Sequence, residues 1–188
     1  GQTLDDAAGE AFDKVAKTIG LGYPGGAAIE RLAAAVEFKD FFKYSRTKSA
    51  KDRITFSFSG LKTAVLYDLV KRGAYDLATG PVFDHITPEL QQQVSSSFLV
   101  CIGDIFMQTM RLALRKYPQA TGIAFSGGVA CNSYLRSQFI DLCNQLKKQF
   151  FVAPPHFCTD NGAMIAFVGA YKAAQGKFSE ISFDVMKE

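Results

Sequence analysis

Leu4, Ala8, Phe12, Val15 and Ile19 recur at steps of four, four, three and four. That is one apolar stripe of helical period, and it predicts a helix from about residue 4 to 18. Asp5 and Asp6 fall in its first turn, where the helix dipole favours negative charge. The run LGYPGG ends the pattern, and an Ala-rich segment predicts a second helix over about 27–36. Residues 38–55 carry no clear period and read as an extended loop. FSFSG (56–60) predicts a short strand, with Ser59 as candidate cap for a helix over about 61–72. Thr87-Pro88-Glu89 opens a further helix, proline being tolerated at the first position. It reaches to about residue 116, with Leu90, Val94, Phe98, Cys101, Ile105 and Phe106 toward the core. At ~1.5 Å per residue it is about 40 Å long.

The last third alternates. Ile123–Ser126 reads as a buried-type strand, 129–148 as a helix with Leu135, Phe139, Leu142 and Leu146 on one face, and Phe150–Ala153 as a second strand. A final helix follows PPHFCTDNG over about 163–175. Strand, helix, strand, helix with short joins implies a parallel pair with a right-handed crossover, hence an α/β fold. Two or three short strands are few for the apolar surface of these helices, so the pattern predicts that part of the sheet is missing. The chain reads as a single partial domain over residues 1–188.

Composition adds little and charge adds more. Apolar residues make up 48% and charged residues 21% of the 188, which describes a globular protein. No apolar run approaches the ~18–20 residues of a membrane span, and no signal peptide is visible, so no membrane partner is expected. The net charge is +3. Between Phe38 and Thr55, however, stand Lys39, Lys43, Arg46, Lys48, Lys51 and Arg53 against Asp40 and Asp52, a local +4. A loop so charged could meet a nucleic-acid backbone. The four cysteines (Cys101, Cys131, Cys143 and Cys158) form no CxxC pair and no zinc spacing with His85 or His156. They read as reduced thiols of a cytoplasmic protein.

Three places could carry chemistry. Residues 122–136, GIAFSGGVACNSYLR, run from a strand through Gly127-Gly128 into a helix. Such a turn can present free N–H groups at a helix N-terminus to a phosphate, and glycine lets the ligand approach. It can equally be only a tight turn, with Asn132 a locally bonded asparagine or a group reaching a ribose or base. In CTDNGAM (158–164), Asp160 is either a helix cap or a ligand at the carboxyl end of a parallel strand. Asp6, Glu10 and Asp13 form a carboxylate stripe on the first helix, solvated or receiving a cation or a hydroxyl-rich ligand. Pro24-Gly25-Gly26 repeats the glycine-turn pattern, and Ser57 and Ser59 beside Lys62 form a conceivable nucleophile pair.

Taken together, DDAAGEAFDKVAKTIGLGYPGG, FSFSGLKTAV, SGGVACNSYLR and CTDNGAMIAFVGA occur in an order and spacing that closely resembles the TsaD family (also Gcp or YgjD) from residue 3 to about 175. That family makes threonylcarbamoyladenosine in tRNA and was once described as an O-sialoglycoprotein endopeptidase. The resemblance implies the second lobe of an actin-like (ASKHA) nucleotide-binding fold. It implies transfer of a threonylcarbamoyl group from threonylcarbamoyl-adenylate to the exocyclic amine of adenosine 37 of tRNA. Asp13, Gly26 and Asn132, beside the Gly127-Gly128 turn, would bind the adenylate or an ATP-type nucleotide. Asp160 would be a ligand of a divalent metal, iron or zinc, acting as Lewis acid and template. The implied partners are tRNA, a TsaB-like paralogue and a TsaE-like ATPase.

One departure stands out. The family's other metal ligands, an HxxxH pair, and its first phosphate loop lie upstream, and this sequence contains neither. The resemblance therefore predicts that the N-terminal lobe is absent and that the chain alone is catalytically incompetent. A partner or self-association is expected to cover the open sheet edge. An actin-like ATPase or kinase remains the alternative. A metalloprotease, from the older description, finds no nucleophile–base–orienter set in the sequence.

Overall fold

The computed structural model describes residues 2–46 and 53–179. The chain runs β1 (Gln2–Thr3), α1 (Ala8–Thr18), α2 (Gly25–Ala34), β2 (Thr55–Phe56), α3 (Ser59–Lys71), β3 (Tyr75–Asp76) and β4 (Gly80–Pro81). It continues with α4 (Pro88–Lys116), β5 (Gly122–Phe125), α5 (Ser133–Leu146), β6 (Gln149–Val152), α6 (Pro155–Cys158) and α7 (Gly162–Ala174). The strands form three two-stranded pairs: β1–β2 and β5–β6 parallel, β3–β4 antiparallel. In β5–β6, Gly122 stands opposite Gln149 and Phe125 opposite Val152. This is the helix-rich α/β class with small parallel sheets that the alternation predicts.

The helices form because their apolar stripes meet. Phe12, Val15 and Ile19 of α1, Ile29 and Ala33 of α2, and Leu61, Val65 and Leu69 of α3 close on Val94, Phe98, Cys101 and Ile102 of α4. Phe12 meets Phe98 edge-on at 5.3 Å between ring centroids, a favoured aromatic geometry. Leu90 and Phe106, placed with the core by their spacing, are only partly buried beside it. A smaller cluster of Ile123, Phe139, Leu142 and Cys143 holds β5–β6 against α5. Phe106 bridges the two clusters, 5.1 Å from Phe56 and 6.1 Å from Phe139.

Several expectations shift. The first helix starts at Ala8, and Leu4 is exposed, because Thr3 Oγ1 donates to the Asp6 carbonyl (2.8 Å) and Asp5 reaches away to another helix. Asp5, not Ser59, caps α3: its carboxylate accepts from Ser57 Oγ (2.5 Å), Phe58 N (2.8 Å) and Ser59 N (3.3 Å). The second helix starts at Gly25, whose N–H donates to Asp13 Oδ1 at 2.8 Å. The run read as a buried strand buries only Ile123, and Leu146 is exposed.

By length and composition α4 is apolar enough to cross a membrane, against the sequence expectation, but half of that stretch is buried inside the protein. Ser96 and Ser97 on it bind the backbone of residues 39–42, so the start of the basic loop lies along α4. Of that loop's cations, Lys48 and Lys51 fall outside the described residues. Arg46 bonds Asp40 (2.6 Å) and Asp104 (2.8 Å), and Lys39 pairs with Glu37. Those carboxylates hold the Arg46 guanidinium above its ordinary pKa although burial works against it.

Helix α7 differs from the rest. It buries no residue, and Ile165, Phe167 and Tyr171 are 71, 76 and 64% exposed.

Candidate functional site

Strand β5 ends at Phe125, and the chain turns through Gly127 at φ +85°, a left-handed conformation that favours glycine. A single 3₁₀ turn, Gly128–Cys131, leads to Asn132 and α5. A Cβ on either glycine would meet nothing within 4 Å, so packing does not demand them. Ala130 N donates to Gly127 O and Asn132 N to Val129 O. The N–H groups of Gly128 and Val129 donate to nothing among the described residues. The helix N-terminus itself is engaged. Ser133 Oγ and Ser133 N both donate to Glu30 Oε1 of α2, the N–H at 2.7 Å, and Leu135 N donates to Asn132 Oδ1 at 2.9 Å. The expectation of free donors on the helix is thus corrected: they lie one turn earlier.

Asn132 is 7% exposed and serves as the α5 cap, while its Nδ2 makes no hydrogen bond among the described residues. Asp13 uses Oδ1 on the start of α2 and leaves Oδ2 without a partner among the described residues. Gly26 follows, and a Cβ there would also meet nothing within 4 Å. Gly26 and Glu30 are one helical turn apart on the same face, and Glu30 touches Ser133. A Cβ on Gly9 of α1 would stand 3.6 Å from Val129 Cγ2. These contacts bring α1, the start of α2 and the Gly127–Asn132 turn together.

Asp160 is exposed and is not the cap of α7. That position belongs to Asn161, whose Oδ1 accepts from Met164 N at 3.0 Å while its Nδ2 donates to Thr159 O. Of the two readings left open for Asp160, the cap is removed. Among the described residues no three His, Cys, Asp or Glu side chains gather as a metal centre. His85 Nδ1 lies 2.8 Å from Gly73 O, and the His156 ring sits tilted against Phe157, 4.1 Å between centroids. The donors among the described residues do not by themselves fit a metal ion.

The acidic stripe is largely neutralised. Lys14 Nζ lies 3.1 Å from Asp6 Oδ1 and 2.5 Å from Glu10 Oε1, and Lys62 pairs with Asp6. Lys14 outweighs a slight desolvation and holds Glu10 below the usual carboxylate range. With Ser57 on Asp5 and Lys62 on Asp6, the Ser–Lys nucleophile pair does not form.

Two side chains that matter here escaped the sequence reading. Arg136 of α5 donates Nε to Ala130 O, and Nη2 to Ala153 O (3.0 Å) and Cys158 Sγ (3.5 Å). It ties the glycine turn to the segment leading to Asp160. Glu30 ties α2 to α5. Each sits at an ordinary helical spacing in a mixed sequence, so no periodicity marks it. Cys131 Sγ lies against Pro155 O at 3.6 Å beside the same seam.

The family model described as "TsaD: tRNA N6-adenosine threonylcarbamoyltransferase" matches residues 1–167. Relatives bearing the name tRNA N6-adenosine threonylcarbamoyltransferase include one from Thermosipho melanesiensis, 42% identical over 187 residues (99% of this chain, 52% of the relative). One from Dictyoglomus turgidum is 40% identical over 184 residues (96% and 50%). One from Staphylococcus aureus is 37% identical over 184 residues (98% and 50%). The chain spans about half the length of these curated relatives. With a match over nearly its whole length and a glycine turn set against α1 and α2, this chain belongs to the TsaD family of tRNA-modifying transferases.

Proposed function

We propose that the chain forms one lobe of an actin-like, two-lobed nucleotide-binding fold. Within the whole protein it takes part in transferring the threonylcarbamoyl group from threonylcarbamoyl-adenylate to the exocyclic amine of adenosine 37 of tRNA. The observation that carries this reading is the Gly127–Asn132 turn, with two N–H groups lacking an acceptor among the described residues and open space where a Cβ on Gly127 or Gly128 would stand. Paired donors of that kind make an anion cradle. The adenylate phosphate accepts from Gly128 and Val129 N–H, and Gly26 leaves room for the nucleoside. Asn132 Nδ2 and Asp13 Oδ2 reach hydroxyl or base-edge groups. When the tRNA amine attacks the carbamoyl carbonyl, the bond to the adenylate oxygen breaks and charge collects on the departing AMP phosphate. Fixed N–H donors stabilise that charge where it develops.

Asp160 supplies one ligand to a divalent ion, iron or zinc, whose other ligands come from outside this chain; a single carboxylate is a poor metal site. The proposed partners are tRNA, a TsaB-like paralogue and a TsaE-like ATPase in the cytoplasm. Self-association would cover α7 and the β5–β6 edges when the chain stands alone.

Calorimetric titration with a non-hydrolysable threonylcarbamoyl-adenylate analogue tests the site. Asn132→Ser keeps a cap and removes the amide, and Gly128→Ala places a methyl in the cradle. Binding by the parent chain and a loss of roughly tenfold or more in each variant are expected, about 1.4 kcal/mol. A folded chain that does not bind, or variants that bind equally, would sink the assignment. ATP turnover without tRNA would favour the kinase-like alternative.

A further inference from the structure

A second site lies at the other end of the β5–β6 pair, where the strands begin. There a cavity of about 330 Å³ is lined by Arg111, Leu114, Arg115, Pro118, Leu146 and Lys148. It is at the low end of ligand-pocket sizes, roughly 300–1,000 Å³, enough for one nucleotide unit rather than a folded cofactor. Three of its lining residues are cations and none is acidic. Arg111 Nη2 donates to the neutral Gln145 Oε1 at 2.7 Å. Lys148 Nζ donates to the carbonyls of Pro118 (3.2 Å) and Ala120. Arg115 is exposed and forms no ion pair with any described residue. Amide and carbonyl partners orient Arg111 and Lys148 without cancelling their charge. Leu114, Leu146 and Pro118 offer an apolar surface beside them, suited to a sugar or base face.

Two described cations of the basic loop, Lys39 and Arg46, are already paired with carboxylates. Arg111, Arg115 and Lys148, by contrast, form no ion pair with any described residue, and they belong to six cations that stand between Arg111 and Gln149 against a single carboxylate, Asp141. They are scattered over 39 residues, so no run of charge marks them. Folding brings Arg111, Arg115 and Lys148 to one mouth.

We propose that this pocket binds a backbone phosphate of an RNA strand, outside the nucleotide site and at the opposite end of the same strands. The proposal rests on the reading that RNA is the substrate. Its ligand chemistry, phosphate, is shared with free phosphate, and the test separates the two sources. Anisotropy of a labelled unmodified tRNA transcript, and of a labelled RNA oligonucleotide of unrelated sequence, is followed against the 188-residue chain at several salt concentrations. Phosphate contacts carry no sequence information, so both probes should respond alike to the pocket.

Arg111→Gln/Arg115→Gln is expected to weaken both roughly tenfold at low salt. It should also lower the slope of log K against log salt by about 1.5–2. Lys17→Gln/Lys71→Gln removes the same charge elsewhere and should leave the slope nearly unchanged. Arg115→Gln alone serves if the double variant melts early, and should remove about half of the slope change. Equal slopes in parent and pocket variants, an equal loss in the control pair, or saturation by millimolar inorganic phosphate without loss of RNA would each overturn the proposal. Failure of the nucleotide site is read separately, in the adenylate-analogue titration.

Discussion

Gly25 and Gly26 stand side by side at the start of α2, yet the structure assigns them opposite reasons to be glycine. A Cβ on Gly25 would lie 2.6 Å from Ala16 Cβ, 2.8 Å from Phe12 O and 2.9 Å from Asp13 Cα. Carbon atoms pack at about 3.5–4.0 Å, so the methyl overlaps α1 by roughly 1 Å, partly against backbone that cannot turn aside. Gly25→Ala must push α2 off α1 and strain the Gly25–Asp13 bond. Overpacking of this kind costs about 1–3 kcal/mol.

A Cβ on Gly26 meets nothing. Glycine inside a helix is worse than alanine by about 0.5–1 kcal/mol, so Gly26→Ala should raise stability by up to that amount. For a chain of this length the melting temperature should rise by about 1–4 °C. The same methyl would stand where the nucleoside approaches, and affinity for the adenylate analogue should fall roughly tenfold or more. Urea unfolding at constant m-value measures the first effect, and calorimetry measures the second. A Gly26→Ala protein that is destabilised would show that the glycine serves packing. One that is stabilised and still binds would show that no ligand comes close.

The Asp5 cap gives a pH prediction. Its pKa is set by burial, which raises it, against bonds from Ser57, Phe58 and Ser59, which together hold it below the usual carboxylate value. Its contribution is therefore present above the unfolded pKa, near 4, and lost as pH falls through the folded value. Asp5→Ala should cost about 1 kcal/mol at pH 7, and the gap to the parent in urea midpoint should narrow toward pH 3. A gap that is constant with pH would refute it. Cys101, Cys143 and Cys158 are buried and Cys131 exposed, so Ellman's reagent should modify one thiol fast and three only on unfolding. Burial pushes the Cys101 thiol up to about 12 and also raises Cys131, so the fast phase should quicken steadily as pH rises through the alkaline range. Arg136→Gln should lower stability by about 2 kcal/mol through lost charged hydrogen bonds and weaken the analogue. Unchanged affinity with lowered stability would confine Arg136 to a scaffold role.

How much was legible in the chain depends on the range of the interaction. The α4 start was, because Thr87 caps it from three residues away: its Oγ1 accepts from Leu90 N at 3.1 Å. The β5–α5–β6 alternation was, because its apolar period repeats locally. The cap of α3 was not, since Asp5 is more than fifty positions from Ser57 and Phe58. Nor was Glu30 at the head of α5, 103 residues from Ser133. The glycine turn could be found, but which N–H groups stay free depended on that distant carboxylate. The cations of the second pocket were hidden for the same reason. A run of charge such as 38–55 is conspicuous in sequence, yet for Arg46 its neighbours in space, Asp40 and Asp104, decide whether the charge is available.

Helix α7 tests the fold's completeness from a different side. It has 13 residues and buries none of them, and its only charge is Lys172. A helix this short is marginal in water on its own, and one that is apolar all round belongs in an interior. Each large apolar side chain moved out of water is worth about 1.5–3 kcal/mol. Covering even two or three of Ile165, Phe167, Val168 and Tyr171 would therefore slow amide opening by more than a hundredfold. Hydrogen exchange of the dilute chain should find the α7 amides exchanging near the open-chain rate while the Val94–Ile105 stretch of α4 stays protected. Concentrating the chain should bring protection to α7 if copies cover one another. Protection of α7 equal to that of α4 at every dilution would show that the chain covers this helix by itself, and would overturn the placement of α7 in solvent.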